Sequence, residues 1–183
     1  MCGRYLFSMS GADGASQRLR QLWSLQFPET AIPQGEILPG MRAPILVAGD
    51  KKLQLLQAKW GYDTGTGVLV NARWETAGEK RTFRDGTPCV IPVSGFYEWS
   101  PAKEKYLFQG KEPLLYLAGL CRSSGEELEF VILTQPAGRE VRGIHHRMPV
   151  LLPQNQLTSW VRFGRTGWDA LPEVPLQDGI PAS

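Results

Sequence analysis

The sequence predicts an α+β fold in which mostly antiparallel strands form a barrel-like core accompanied by a few short helices. Three observations carry that reading. Twenty glycines and fourteen prolines punctuate 183 residues, which cuts the chain into short strands and turns and leaves little room for long helices. Apolar runs such as Cys89 to Val93, Leu114 to Leu120 and Leu128 to Thr134 recur between Gly, Pro and Ser turns, with the composition of strands buried on at least one face. Helical periodicity, by contrast, shows in only a few places. With 42% hydrophobic and 21% charged residues, the chain has the make-up of a globular protein with a sizeable core. No internal repeat or long linker divides it, so we expect a single domain over residues 1–183 with a loose proline-rich tail from about Pro172.

The chain opens on Met1-Cys2-Gly3-Arg4-Tyr5. From Ser10 to Phe27, Leu19, Leu22, Trp23 and Leu25 among polar residues predict an amphipathic helix, with Ser10, Asp13 or Ser16 as its cap. Pro28, Pro33 and Pro39 break the next stretch into a loop; Ala43 to Val47, the Gly49-Asp50 turn and Leu53 to Trp60 then read as a hairpin. Gly61 to Gly67 is a glycine-rich loop without the spacing of a phosphate cradle. Val68 to Val70 predicts a short apolar strand and Glu75 to Arg84 a short polar helix; Tyr106 to Gln109 adds a strand, and Gln154 to Phe163 a last helix with Leu157, Trp160 and Val161 inward.

Several classes are excluded early. No apolar run approaches the ~20 residues of a membrane-spanning helix, and charged and polar residues interrupt any signal-like core at the start, so a cytoplasmic protein without a membrane partner is expected. Cys2, Cys89 and Cys121 are an odd number at wide spacing with no CxxC, which indicates neither a disulfide framework nor a zinc site. A net charge of +2 does not by itself announce a nucleic-acid binder, though it leaves room for a local basic patch.

Four places combine reactive or polar groups with apolar company. If Met1 is removed, Cys2 becomes the terminus and bears an α-amine and a thiol on adjacent carbons. An amine of this kind titrates near about 8 and attacks carbonyls without a specially buried lysine. With an aldehyde it gives a Schiff base that the thiol closes to a thiazolidine; with an acyl group the thiol is itself a nucleophile. Asn71 and Arg73 follow an apolar run and, if extended, share one side of the strand, an amide and a cationic fork that suit a phosphate or sugar oxygen. Read alone, they are equally a capped strand end with an exposed arginine. Glu98 lies among Phe96, Tyr97 and Trp99, where desolvation would raise its pKa toward neutrality and make it a proton shuttle; alternation allows the opposite, with Glu98 in solvent and Tyr97 and Trp99 inward. His145 and His146 are the only histidines. On a strand they would point opposite ways, which disfavours a metal pair and leaves one for acid chemistry or none.

Read together, Cys2-Gly3-Arg4-Tyr5, Trp60-Gly61, Asn71-Ala72-Arg73-x-Glu75-Thr76, Pro92-x-x-Gly95-Phe96-Tyr97-Glu98-Trp99, Ala118-Gly119-Leu120, Ile132-Leu133-Thr134 and Ile144-His145-x-Arg147-Met148-Pro149 occur in a fixed order. In that combination the chain resembles the SOS-response-associated peptidase (SRAP) family from residue 2 to about residue 152. The resemblance implies a compact domain with a groove for single-stranded DNA containing abasic sites, acting in the DNA damage response without metal or organic cofactor, as a monomer, and associated with the nucleoid when bound to DNA. It implies that Cys2 captures the ring-opened abasic sugar as a thiazolidine, that Asn71 and Arg73 hold the sugar and its phosphate, that Glu98 moves protons to and from the Cys2 amine, that His145 assists ring opening and that Thr134 supports the site. Arg4, Arg73 and Arg147 become candidate phosphate contacts, and Trp60 and Trp74 candidate base-stacking residues, with core packing the expected fate of at least one tryptophan. His146 falls on a variable position and receives no role.

The chain also departs from the family pattern. Glu36 stands where an Asn is usual, the glycine-rich stretch from Tyr62 to Gly67 replaces a Pro-x-Trp, and Trp74 is bulky for its position. An acidic Glu36 in the groove would weaken phosphate binding. The crosslinking reading includes release of the leader methionine or weak strand-cleaving lyase chemistry alongside; the alternatives are an amino-terminal-nucleophile peptidase using the Cys2 thiol with Glu98 and His145, and a non-catalytic single-stranded DNA-binding module in which Cys2 is incidental.

Overall fold

The computed structural model describes residues 2–9, 11, 13–164 and 171–182. Met1, the leader whose removal matters above, and Ser10, one of the expected helix caps, lie outside the described residues. The first strand, β1, is Tyr5–Phe7, and the expected helix follows as α1, Gly14–Gln26. Asp13 caps it by accepting a hydrogen bond from the Ser16 amide at 2.8 Å, and Leu19 and Trp23 face inward. After β2, Gly35–Ile37, the predicted hairpin forms from β3, Arg42–Ala48, and β4, Leu53–Trp60, in register from Arg42 opposite Lys59 to Ala48 opposite Leu53.

The glycine-rich stretch turns between two very short strands, β5, Tyr62–Asp63, and β6, Val68–Leu69. Gly61 is required at its entrance: its φ is +120°, and a Cβ there would lie 2.4 Å from Val68. The predicted short apolar strand forms at Val68–Leu69 and lies at the surface, with Val68 57% exposed. Asn71–Arg73 forms its own strand, β7. The helix predicted from Glu75 shrinks to α2, Arg81–Arg84, because turns bonded to the Arg73 and Thr76 carbonyls take up the residues before it. Next come β8, Thr87–Val93, β9, Gly95–Trp99, and β10, Lys105–Phe108. A long hairpin of β11, Leu115–Ser124, and β12, Glu127–Pro136, follows. The chain finishes with α3, Arg139–Arg142, β13, Arg147–Pro149, α4, Leu157–Phe163, and β14, Ile180–Pro181.

Five strands close on themselves in the order β11, β8, β3, β4, β12 and back to β11. All neighbours in this ring are antiparallel except β4 and β12, which run parallel and meet at Lys59 with Glu129 and Trp60 with Phe130. Closure removes the exposed edges that an open sheet would leave. Ile45, Val90, Leu117, Phe130 and Ile132 are all fully buried. Gly119 has to be a glycine, because a Cβ there would meet Ile91 at 2.4 Å and the Val131 carbonyl at 2.7 Å.

A second, fully antiparallel sheet, ordered β14, β10, β9, β1, β2, packs against the barrel. Its contact includes Tyr5 tilted on Trp60 at 5.1 Å, and Ser94 ties β9 to the first strand by accepting from the Ser8 amide at 2.8 Å and donating to its carbonyl at 2.9 Å. The tail corrects one expectation. Ile180 and Pro181 pair with β10, Leu176 is buried, and the amides of Gln177 and Ala182 donate to the Gln109 and Lys105 carbonyls. The open edge of β10 provides the hydrogen-bonding partners that composition alone does not reveal. Among the described residues no helix is long and apolar enough to cross a membrane.

Candidate active site

The second sheet brings the start of the chain alongside β9. The Arg4 carbonyl accepts from the Tyr97 amide at 3.0 Å and from the Cys2 thiol, whose Sγ is 3.7 Å away. Cys2 is fully buried. Burial, with the charge of Glu98 adding to it, pushes the thiol well above its ordinary range. Asn71 reaches across from the barrel side: its Nδ2 donates to the Cys2 carbonyl at 2.8 Å, while its Oδ1 is buried and accepts no hydrogen bond.

Strand alternation decides which way Glu98 points. Phe96 lies opposite Tyr5 in the register, so Phe96 and Glu98 face the barrel while Tyr97 and Trp99 take the other face. Glu98 is only 1% exposed, and burial raises its carboxyl from the ordinary 4.5 to about 7. The solvent-facing alternative for Glu98 is thereby set aside.

His145 completes the group from the bend before β13. Its Nδ1 is 3.6 Å from Glu98 Oε2, 3.1 Å from the Arg147 amide that donates to it and 3.0 Å from the Arg147 carbonyl. A neutral ring with its proton on Nε2 takes the amide bond; a ring with a proton on Nδ1 faces the carbonyl and the carboxylate. The expectation that the two histidines point opposite ways fails, because the pair precedes the strand: their rings stack at 4.4 Å with 33° between planes. His146 is exposed, and the neighbouring His145 lowers its pKa.

The remaining sequence-predicted residues divide into those beside this group and those turned away from it. Arg73 is exposed on β7, two residues from Asn71 and on the same side. Thr134 is fully buried under that strand, opposite Arg73 in a parallel register, and donates to the Ala72 carbonyl at 3.4 Å. Arg147 is a correction. It is 9% exposed, its guanidinium is held by both Glu75 oxygens at 2.6 and 2.9 Å, and it also donates to the Thr134 carbonyl at 2.6 Å. Such a fork is engaged in clamping β13, and so the backbone that holds His145, rather than presented to a phosphate.

Trp60 is the second correction. It is fully buried, stacked on Phe130 at 6.2 Å, and its indole donates to the Val70 carbonyl at 2.9 Å. Trp74 is half-buried and packs on Trp160 at 5.7 Å. Both tryptophans serve packing, as a large aromatic surface favours. The loops that depart from the family pattern instead meet beside Trp60. Its backbone bonds the Gly40–Met41 turn and Gly61 abuts Val68, and this corner exposes Leu38, Met41, Val68 and Leu69.

Arg4 carries a salt bridge to Glu36 at 2.8 Å and lies 5.5 Å above the Trp99 ring. Glu36 also pairs with Lys105. Neither Lys105 nor the Glu75 clamp emerged as a site residue from the sequence. Glu75 stood inside a recognised motif; Lys105 carried no such signal. Among the described residues no three His, Cys, Asp or Glu side chains are grouped to hold a metal ion.

Comparison with known proteins converges on one family. The profile of the SOS response associated peptidase (SRAP) family matches residues 1–178. The chain is 25% identical over 198 aligned positions to the abasic site processing protein YedK of Escherichia coli (strain K12), covering 100% of this chain and 89% of that protein. It is 30% identical over 131 positions to the abasic site processing protein YoaM of Bacillus subtilis (strain 168), covering 64% and 58%. Against the abasic site processing protein HMCES of Xenopus tropicalis the figures are 27% over 142 positions, 60% and 40%.

Proposed function

The chain belongs to the SOS response associated peptidase family, and from that premise we propose that it processes abasic sites in single-stranded DNA by bonding to the ring-opened sugar through Cys2 once Met1 has been removed. The observation that carries this reading is the meeting of Cys2, Asn71, Glu98 and His145 in one buried place, although they come from four distant parts of the chain.

The chemistry follows from the protonation states. The freed α-amine attacks the aldehyde carbon and forms a carbinolamine. Its hydroxyl leaves as water with a proton from Glu98, the iminium N–H returns a proton to the Glu98 carboxylate, and the neutral Schiff base remains. The Cys2 S–H then adds across C=N, with sulfur bonding to carbon and the proton going to nitrogen, and the thiazolidine closes. A carboxyl held at about 7 both accepts and donates near neutral pH, which is what the first two steps require. A buried thiol raised by burial and by Glu98 stays protonated until the Schiff base forms, which favours amine attack first. The same raised thiol disfavours the peptidase reading, since a cysteine nucleophile needs its thiolate.

His145 would hand a proton to the sugar ring oxygen as the ring opens, with Glu98 beside its Nδ1. The buried Asn71 Oδ1 without a donor would accept from a sugar hydroxyl, and exposed Arg73 would hold the adjoining phosphate. The apolar corner at Leu38, Met41, Val68 and Leu69 would meet the bases in place of stacked tryptophans.

Intact-mass measurement tests this. Processed protein mixed with single-stranded DNA bearing one abasic site should gain the mass of the strand less one water, and Cys2→Ala should gain nothing. No adduct from processed wild type overturns the proposal. Peptide cleavage without an adduct would turn it toward the peptidase, and reversible, salt-sensitive binding indifferent to Cys2 toward a non-catalytic DNA-binding module.

A further inference from the structure

On the face of β9 away from Glu98, two cations converge on one carboxylate beside a phenol. Glu36 accepts from the Arg4 guanidinium at 2.8 Å and from the Lys105 ammonium on its other oxygen, and the Tyr97 phenol lies near enough that burial and the Glu36 charge together raise its pKa. The sheet order explains the meeting: β2, β1, β9 and β10 are consecutive neighbours, Glu36 sits opposite Leu6 and Lys105 opposite Trp99, and alternation sets Glu36, Arg4, Tyr97, Trp99 and Lys105 on one face. Aromatic rings hold both cations from beneath, Trp99 at 5.5 Å from Arg4 and Tyr97 at 4.5 Å from Lys105.

We infer that Arg4, Lys105 and Tyr97 form a phosphate subsite that Glu36 occupies in the free protein and that a phosphodiester of the bound strand takes over. Two acceptor oxygens answered by a guanidinium and an ammonium, with a phenol alongside, are the requirements of a phosphate as much as of a carboxylate. The aromatic rings keep the cations in place when Glu36 leaves. The side chains of Arg4, Glu36 and Lys105 are 31%, 32% and 15% exposed, open enough for exchange, and a partly solvated ion pair of this kind adds little stability of its own. Arg4 is two residues from Cys2, and Trp99 adjoins Glu98 in the chain, so the subsite lies close to the lesion site but on the other face of the sheet. The inference rests on the reading of this chain as a single-stranded DNA binder, and it makes Glu36 an internal competitor that sets affinity and salt response.

Anisotropy of a short fluorescein-labelled, undamaged single strand, measured across a salt series with processed proteins, tests it. Glu36→Gln should bind about tenfold more tightly at low salt, with a log–log salt slope steeper by about 0.7, the increment for one further phosphate contact on a single strand. Adding Lys105→Ala to Glu36→Gln should abolish the gain, whereas adding Lys51→Ala, an equal charge change on an exposed turn, should preserve it. Unchanged or weaker binding by Glu36→Gln, with a native thermal transition, overturns the subsite, and so does a gain that Lys51→Ala removes as fully as Lys105→Ala. The wild-type adduct assay run beside it separates the two claims. An adduct without the Glu36 effect sinks only the subsite, and the Glu36 effect without an adduct sinks only the covalent reading.

Discussion

Glu129 on β12 and Glu98 on β9 are buried to the same degree, at 2% and 1% exposure, in surroundings of opposite kind. Glu129 takes two hydrogen bonds from the Arg122 guanidinium at 3.1 and 3.0 Å and lies 3.3 Å from the Asp63 amide. Arg122 in turn covers the Tyr62 ring at 4.1 Å. That end of the barrel answers a buried charge with a charge and amides, as a structural ion pair must. Glu98 meets an imidazole at 3.6 Å and a buried thiol, and the amino-terminal charge offsets only part of the desolvation that raises its carboxyl. Its carboxyl is left poised between protonation states, which suits the proton transfer proposed for it.

The largest effect that would test this contrast is kinetic. Glu98→Gln should slow adduct formation by about 10²–10⁴, the usual contribution of a general acid–base group, with single-strand affinity largely retained. Rapid-quench sampling of the adduct measures it, and equal rates would remove Glu98 from the chemistry. Stability comes next and should move in opposite directions. Glu129→Gln should destabilise by about 3 kcal/mol, at the low end for breaking a buried pair because Arg122 keeps 28% exposure.

Glu98→Gln should stabilise by up to about 3 kcal/mol above neutrality. The sign follows from linkage: the folded carboxyl titrates near 7 against an ordinary 4.5, so the folded state holds a proton that the unfolded state has released, and wild-type stability falls as pH rises through that window. The gain from Gln should therefore vanish below 4.5 and be complete above 7. Urea melts of both variants across pH decide it, and a loss of stability in both would erase the distinction. The smallest effect concerns Arg73→Ala, which should flatten the log–log salt slope for single strands by about 0.7. An unchanged slope would place the exposed Arg73 outside the phosphate path.

Much of the barrel was legible because its information is local. Apolar runs, turn glycines and the candidate caps Ser10, Asp13 and Ser16 identify β3, β4, β8, β11, β12 and α1 within a few residues of their observed ends. The failures were non-local. Val68 to Val70 reads as one short apolar strand, yet β6 holds only Val68 and Leu69 and leaves them exposed. The tail reads as loose, yet the open edge of β10 captures it. In the site, the family resemblance singled out Cys2, Asn71, Glu98 and His145, which the residues alone left open, but nothing along the chain distinguished Arg73, left exposed, from Arg147, locked by Glu75 seventy-two residues away.

By itself the sequence determined which reactive groups exist and the order in which they are strung, because an α-amine beside a thiol or a carboxyl among aromatics carries its chemistry wherever the chain takes it. Only the tertiary structure decided which face each group takes and what answers its charge. Pleat alternation turned Glu98 inward while leaving Tyr97 and Trp99 outside, and strand order brought Glu36 between Arg4 and Lys105. Burial and ion pairing are set by neighbours distant in the chain, and they separate a poised carboxylate from a structural one.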